Sequence, residues 1–255
     1  MKHVLLAIAT MTAFSGLAAG QPATTTDTLT TTPVVQTAEW AQSWWMPRHR
    51  EKLAERDRWV AQGKSPSCVF VGDSITHGWE QAGKEVWAER VAPQGGAINL
   101  GFSGDRTEHV LWRLGVGDAG EANNEIAGLS PNLFVVMIGT NNTGQRQDDP
   151  AETAEGVTAI VDRLLEVSPD SRVLLLAVFP RGATPDDPLR RLNDEVNRLI
   201  APLGERPAVD FVDIGDVFLD DSGNLPKSIM GDLLHPEAEG YRRWADAIAP
   251  YLMGW

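Results

Sequence analysis

The stretch Val69-Phe70-Val71-Gly72-Asp73-Ser74-Ile75-Thr76-His77-Gly78-Trp79 decides the fold. Its first three residues read as the end of a buried strand, and Gly72 with the small and polar residues after it suits a sharp strand-to-helix turn. Such a turn leaves Ser74 at a strand end. In an open parallel sheet that edge holds ligands, because its loops enclose a crevice and the following helix points its N-terminal amides into it. Ser74 is therefore a candidate nucleophile, although Gly-Asp-Ser after a strand also serves as a plain turn with a helix cap.

Further apolar runs recur at 97–100, 133–138, 173–178 and 209–212, and helical stretches are expected at 81–90, 107–114, 151–167, 189–203 and 236–251. Apolar strands without alternation, separated by helices, predict a parallel sheet covered on both faces. The expected class is α/β, a three-layer α/β/α sandwich around a five-stranded parallel sheet. Right-handed crossovers then bring all the strand ends to one edge, so the residues that follow each strand can meet.

Those residues are Ser74 after strand one, Gly101-Phe102-Ser103-Gly104-Asp105 after strand two, Gly139-Thr140-Asn141-Asn142 after strand three and Phe179-Pro180-Arg181-Gly182 after strand four. The loop after strand five runs to Asp232-Leu233-Leu234-His235-Pro236. Each has a bland reading: glycines for turns, Asn141 for a corner, His235 as a helix-end histidine. Their convergence on one edge, in an order that closes a site, favours catalysis. A serine hydroxyl needs an adjacent base, which His235 supplies, and Asp232 holds the imidazole in the required tautomer. The Ser74 and Gly104 backbone N–H groups and the Asn141 amide form a candidate oxyanion hole. Acyl transfer is the chemistry that this set fits. Asp73, Trp45 and Arg181 are candidate substrate contacts, Arg181 with the alternative of tying down the long loop.

With these blocks in order, the chain resembles an SGNH hydrolase of the GDSL esterase/lipase superfamily. Gly72-Asp73-Ser74 matches the first block, Gly104 the second, Gly139-Thr140-Asn141 the third and Asp232-x-x-His235 the last. Within that superfamily, residues 99–107, 109–114 and 179–182 are similar to the catalytic subunits of platelet-activating-factor acetylhydrolases, and exported bacterial carbohydrate acetylesterases also resemble the chain. The resemblance spans roughly residues 67–251. It implies a flavodoxin-like fold, Ser74 as nucleophile, Gly104 and Asn141 as oxyanion donors, and Asp232 and His235 as the rest of a triad. Ile75 stands where the superfamily name has leucine, and Asn142 where many members carry aspartate. The Trp-rich lead-in before Glu51 lies outside the resemblance to the mammalian enzyme.

The 255 residues suffice for one sizeable core and point to one domain, 38–255. Residues 1–20 have the charged start, apolar middle and small-residue end of a secretory signal, cleaved near Gly20, so a secreted or periplasmic product is expected. No later stretch is apolar enough to span a bilayer. Residues 21–37, Thr-rich with two prolines, read as a solvated spacer. The formal charge of −13 makes nucleic acid and anionic membranes poor partners. The single cysteine, Cys68, sits within the first strand, so neither a disulfide framework nor a thiolate metal site is expected. Five scattered histidines without H-E-x-x-H offer no metal cage, and no cofactor is expected. His77 and His109 read as locally bonded. Gly115-Val116-Gly117-Asp118-Ala119-Gly120 matches G-x-G-x-x-G but follows a helix rather than a strand, which argues against a dinucleotide site. The lead-in carries Trp40, Trp44 and Trp45 before a helix expected at 47–61, and these rings are either a plug over the sheet edge or a stacking wall for a sugar.

The reading that follows is an exported serine esterase acting on short acyl esters, acetyl foremost, of carbohydrates. The alternatives are a phospholipid or lysophospholipid acyl hydrolase and a non-catalytic glycan-binding module. The sequence leaves the alcohol part, the acyl-length limit and the oligomeric state open.

Overall fold

The structure, a computed structural model, describes residues 28–252. The expected signal segment, the first part of the expected spacer and the last three residues lie outside the described residues. The sheet is parallel, in the order β2-β1-β3-β4-β5, with β1 Cys68–Gly72, β2 Ala97–Gly101, β3 Leu133–Met137, β4 Arg172–Leu176 and β5 Val209–Val212. This α/β architecture is the expected one, and β3 is the central strand. The order reverses between β1 and β3, so the loops leaving those two strands part and open a crevice between them. Ser74 and Asn141 stand at its two sides.

The helices are α1 Trp45–Ala61, α2 Ser74–His77, α3 Lys84–Val86, α4 Thr107–Arg113, α5 Pro150–Val167, α6 Pro188–Ile200 and α7 Ala238–Leu252. Helix α5 packs between α4 and α6, while α7 packs against the 84–91 segment. Helices α5 and α6 begin alike, at an aspartate cap followed by proline. Asp149 accepts from the Ala151 N–H at 2.8 Å, Asp187 from the Leu189 N–H at 3.0 Å, and each proline occupies a position where its missing N–H costs nothing.

Strand β2 is an edge, and α1 covers it. Arg48 donates from Nε to the Gly101 carbonyl at 2.9 Å and lies 5.0 Å from the Phe102 ring centroid. Gly72 ends β1 under tight constraint: a Cβ there would fall 2.2 Å from Thr76 Oγ1 and 2.4 Å from the Met137 carbonyl oxygen. Any side chain would push α2, and Ser74 with it, off the sheet edge.

Tyr241 and Trp244 of α7 pack with Phe70, Trp79 and Phe179, and the Trp79 and Trp244 ring centroids are 4.8 Å apart. Both indole N–H groups lack a partner among the described residues. Burying an indole of ~200 Å² contributes about 5 kcal/mol, against ~1–3 kcal/mol for an unpaired donor, so packing prevails.

Two expectations are corrected. The helix expected at 81–90 is instead a 3-10 turn Gly78–Glu80, the short α3 and a wide turn Trp87–Val91. The chain wraps closely around the aromatic group here: a Cβ on Gly83 would meet the Trp79 and Tyr241 rings at 2.8 Å. Residues 28–37 are not a solvated spacer. Thr30 is buried and donates to the Glu152 carbonyl at 2.6 Å, its own carbonyl accepts from Thr107 Oγ1 at 2.8 Å, and the Val34 N–H reaches the Glu108 carbonyl. The strap is fastened by these hydroxyl and backbone bonds together with Val35, which packs against the Trp45 and Phe102 cluster, and so short a set of contacts carries no hydrophobic period. Helix α1 starts at Trp45, with Pro47 inside its first turn.

Candidate active site

Asp73 caps α2: its Oδ1 accepts from the Ile75 N–H at 2.9 Å, which sets Ser74 as the first residue of the helix. Ser74 Oγ lies 2.8 Å from His235 Nε2, and His235 Nδ1 lies 2.6 Å from Asp232 Oδ2. Because Asp232 is an acceptor, Nδ1 carries the proton and Nε2 is left to accept from the serine hydroxyl. Burial raises the Asp232 carboxyl, but the His235 and Leu234 hydrogen bonds outweigh it and hold the group below its usual range.

Aspartate and histidine three residues apart meet because the turn between them is sharp. Leu233 adopts φ 62°, a left-handed conformation that costs a non-glycine residue about 1–2 kcal/mol. Two hydrogen bonds hold it there, from its N–H to the Met230 carbonyl at 2.9 Å and from the Gly182 N–H to its carbonyl at 2.9 Å.

Gly104 and Asn141 face the same space. They line, with Ser74, Asp232 and His235, a cavity of about 610 Å³. Gly104 has φ +76°, and a Cβ on it would strike the Trp40 ring at 2.1 Å. The Asn141 amide donates one N–H to the Asp105 carbonyl at 2.9 Å while its oxygen accepts from Gln145 Nε2 at 3.0 Å, which leaves its second N–H for a ligand.

The loop that carries Gly104 is braced from behind. Trp45 Nε1 donates to Asp105 Oδ1 at 2.7 Å, and Arg113 Nε to Asp105 Oδ2 at 2.9 Å. Arg113 also pairs with Glu125, which in turn meets His49 Nδ1 at 2.8 Å. All four side chains of the ion network are buried. Burial alone would lower the Arg113 pKa, yet the two carboxylates beside it hold it above its usual range.

Of the expected substrate contacts, none borders the cavity. Trp45 is 1% exposed and enclosed by Phe102, His49 and Trp112, so it is the plug and cannot stack on a ligand. Asp73 is fully buried beside Ser74, its Oδ2 has no partner among the described residues, and burial pushes its carboxyl up to about 7 despite the Ile75 N–H. Arg181 donates from Nη1 to the Thr140 carbonyl at 3.0 Å and to its Oγ1 at 3.1 Å, tying the loops after β3 and β4 together.

His77 bonds Ser103 Oγ at 3.0 Å, and burial together with the Arg48 charge pushes its pKa down to about 4. His109 accepts from the Arg106 N–H at 3.0 Å, with burial pushing it down to about 3. Both are neutral structural groups near neutral pH. Asn142 accepts from the Thr107 N–H at 3.1 Å and so starts α4, a role that either asparagine or aspartate can fill. The G-x-G-x-x-G segment forms a 3-10 turn at Gly117–Ala119 with no strand before it. Trp40, one of the lead-in rings read as a plug or a stacking wall, lines the cavity, as do Gln81, Gln145 and Glu237, which sequence reasoning did not single out. Among the described residues no cluster of histidine, cysteine or carboxylate side chains could hold a metal, and no helix is long and apolar enough to cross a membrane.

This geometry suits activation of a serine beside donors for a developing oxyanion. Residues 70–243 match the GDSL-like Lipase/Acylhydrolase family. The chain is 36% identical over 210 residues to platelet-activating factor acetylhydrolase IB subunit alpha1 of Homo sapiens, covering 82% of this chain and 83% of that one, a match too long to start at Glu51, so it takes in part of the lead-in that was expected to lie outside it. Among solved structures it is similar in fold to Est24, a carbohydrate acetylesterase from Sinorhizobium meliloti, with TM-score 0.55, 23% identity and coverage of 74% and 99% of the two chains. It is likewise similar to Axe2, an acetylxylan esterase from Geobacillus stearothermophilus, with TM-score 0.56, 19% identity and coverage of 74% and 94%. The chain belongs to the GDSL-like lipase/acylhydrolase family and is a carboxylic ester hydrolase.

Proposed function

We propose that the protein is an exported serine esterase that removes short acyl groups, acetyl foremost, from carbohydrates through Ser74, His235 and Asp232. The observation that carries this reading is the unbroken line from Asp232 Oδ2 through the imidazole to Ser74 Oγ, at 2.6 and 2.8 Å, on the wall of an open cavity. His235 Nε2 takes the Ser74 proton as Oγ attacks the ester carbonyl. The carbonyl oxygen gains the charge, and the Ser74 and Gly104 N–H groups with the free Asn141 N–H donate to it. Collapse breaks the bond to the alcohol oxygen, which receives the proton from His235 and leaves an acyl-enzyme. Water then repeats the sequence: it loses a proton to His235, attacks the acyl carbon and releases the acid as Ser74 regains its hydrogen.

The lining of the cavity supports a carbohydrate alcohol. Gln81, Ser103, Gln145 and Glu237 border it and offer hydrogen bonds to hydroxyls. Est24, a carbohydrate acetylesterase, and Axe2, an acetylxylan esterase, agree with that choice. A second reading, a glycerophospholipid acetyl ester, is favoured by the name of the 36% identical relative. Hydrolysis of p-nitrophenyl esters from acetyl to octanoyl, acetylated xylan and a glycerophospholipid, by wild type and Ser74→Ala, tests both. Activity on acetylated xylan that Ser74→Ala abolishes supports the proposal; turnover of the phospholipid alone favours the second reading, and turnover retained by Ser74→Ala removes the serine mechanism.

A further inference from the structure

Four large apolar side chains stand exposed among the described residues, Leu29, Val34, Trp40 and Val60, and of these only Trp40 lines the cavity. It is 53% exposed. Residue 40 lies in the N-terminal strap, ahead of residues 70–243 that match the family.

The strap holds the indole firmly. Gln36 donates from Nε2 to the Gly104 carbonyl at 3.2 Å and accepts the Ala38 N–H at 3.0 Å, and a 3-10 turn Glu39–Ala41 follows. The Trp44 ring stacks on Trp40 at 6.1 Å between centroids, while Trp44 Nε1 donates to the Trp40 carbonyl at 3.1 Å. Gly104 lies so close that only a hydrogen fits between its Cα and the Trp40 ring. A rigid aromatic surface therefore stands beside one of the oxyanion donors.

Resting on the carbohydrate-esterase reading above, we propose that the Trp40 indole is the platform on which the sugar ring of the substrate's alcohol part stacks. A pyranose presents a face of C–H groups and a rim of hydroxyls. Trp40 meets the face, and the amides of Gln81 and Gln145 with the Glu237 carboxylate, on the same cavity, meet the rim. A quaternary ammonium headgroup would need several aromatic faces converging on it. Here Trp44 backs Trp40 instead of facing it, and Tyr241 is 1% exposed with its hydroxyl bound to the Ile75 carbonyl.

The test compares Trp40→Ala and Trp40→Phe with wild type on acetylated xylo-oligosaccharide, p-nitrophenyl acetate and an acetylated glycerophosphocholine. It also measures inhibition of p-nitrophenyl acetate hydrolysis by unacetylated xylo-oligosaccharide. The expected result for Trp40→Ala is a KM for the sugar ester and an inhibition constant for the free sugar raised on the order of tenfold, equivalent to about 1.4 kcal/mol. The ratio of sugar-ester to p-nitrophenyl-ester kcat/KM falls with them, and Trp40→Phe recovers part of the loss. A proportionate loss on every ester, with the inhibition constant unmoved, would assign Trp40 a structural role and overturn the proposal. So would a KM effect confined to the choline ester. Wild-type enzyme that cleaves p-nitrophenyl acetate but no sugar ester overturns the carbohydrate reading itself, a result distinct from indifference of the sugar constants to Trp40.

Discussion

Asp232 grips His235 at two points: its Oδ2 lies 2.6 Å from the ring Nδ1, and its Oδ1 accepts the His235 backbone N–H at 2.8 Å. One carboxylate thus sets both the turn and the ring. The two side chains are 57% and 41% exposed, so solvent screens their charge interaction and the tautomer is the larger consequence of the contact. Asp232→Asn keeps an oxygen for the backbone N–H but presents an amide to Nδ1, which drives the proton to Nε2 and blocks the serine. Steady-state kinetics should show kcat lowered on the order of 10³- to 10⁴-fold with an unchanged melting temperature. A loss below tenfold would show that Asp232 does not set the tautomer.

Asp73 sits directly before Ser74 with an Oδ2 that has no partner among the described residues, and burial pushes its carboxyl up to about 7. The unfolded chain releases this proton near the ordinary carboxylate value of ~3.9, so the folded state binds the extra proton between the two values. The resulting stabilisation is complete at pH below the unfolded value and is lost as pH rises through about 7. Asp73→Asn is neutral at every pH and should remove this slope. Its melting temperature relative to wild type should rise from pH 5 to pH 8, and an equal difference at both would show that Asp73 is ionised throughout.

Much of this was legible from the chain because parallel strands buried on both faces read as apolar runs, and because ligand-facing residues follow them in order. Ser74, Gly104, Asn141, Asp232 and His235 all line the one cavity. What stayed hidden is held by contacts far apart in sequence. Nothing local distinguishes Trp45 from Trp40, yet one is enclosed by Phe102 and Trp112 and the other stands in the cavity, because a turn of chain between them reverses the side presented. Thr30 is anchored by hydrogen bonds to Glu152 and Thr107 and Gln36 by one to Gly104, contacts that leave no periodic trace.

The buried line Asp105, Arg113, Glu125 and His49 was equally silent, since its members are paired only by the fold. Arg113→Met would leave two carboxylates without their shared cation. Breaking a buried pair in this way costs about 3–5 kcal/mol, measurable by urea denaturation. Because the Asp105 carbonyl receives the Asn141 amide, kcat should fall as well. A stability loss under ~1 kcal/mol would mean that the carboxylates take up protons at little cost and that the network is not a structural brace.

Asn141 follows the central strand and faces the cavity with one amide N–H already given to the Asp105 carbonyl and the other uncommitted. If the free N–H donates to the oxyanion, its bond strengthens as negative charge develops, so the transition state gains more than the bound ester. Asn141→Ala should then lower kcat by roughly 10²- to 10³-fold, the loss of ~2.7–4 kcal/mol typical of one such donor, with little change in KM. The same substitution removes the hydrogen bonds to Asp105 and Gln145, so a stability loss of ~1 kcal/mol accompanies it without explaining the kinetics. Gln145→Ala separates the two effects, because it removes one of those structural bonds and leaves the donor in place. Asn141→Ala should therefore lose far more kcat than Gln145→Ala at similar melting temperature. A raised KM with unchanged kcat in Asn141→Ala would make the residue a loop support and leave the oxyanion to the Ser74 and Gly104 N–H groups.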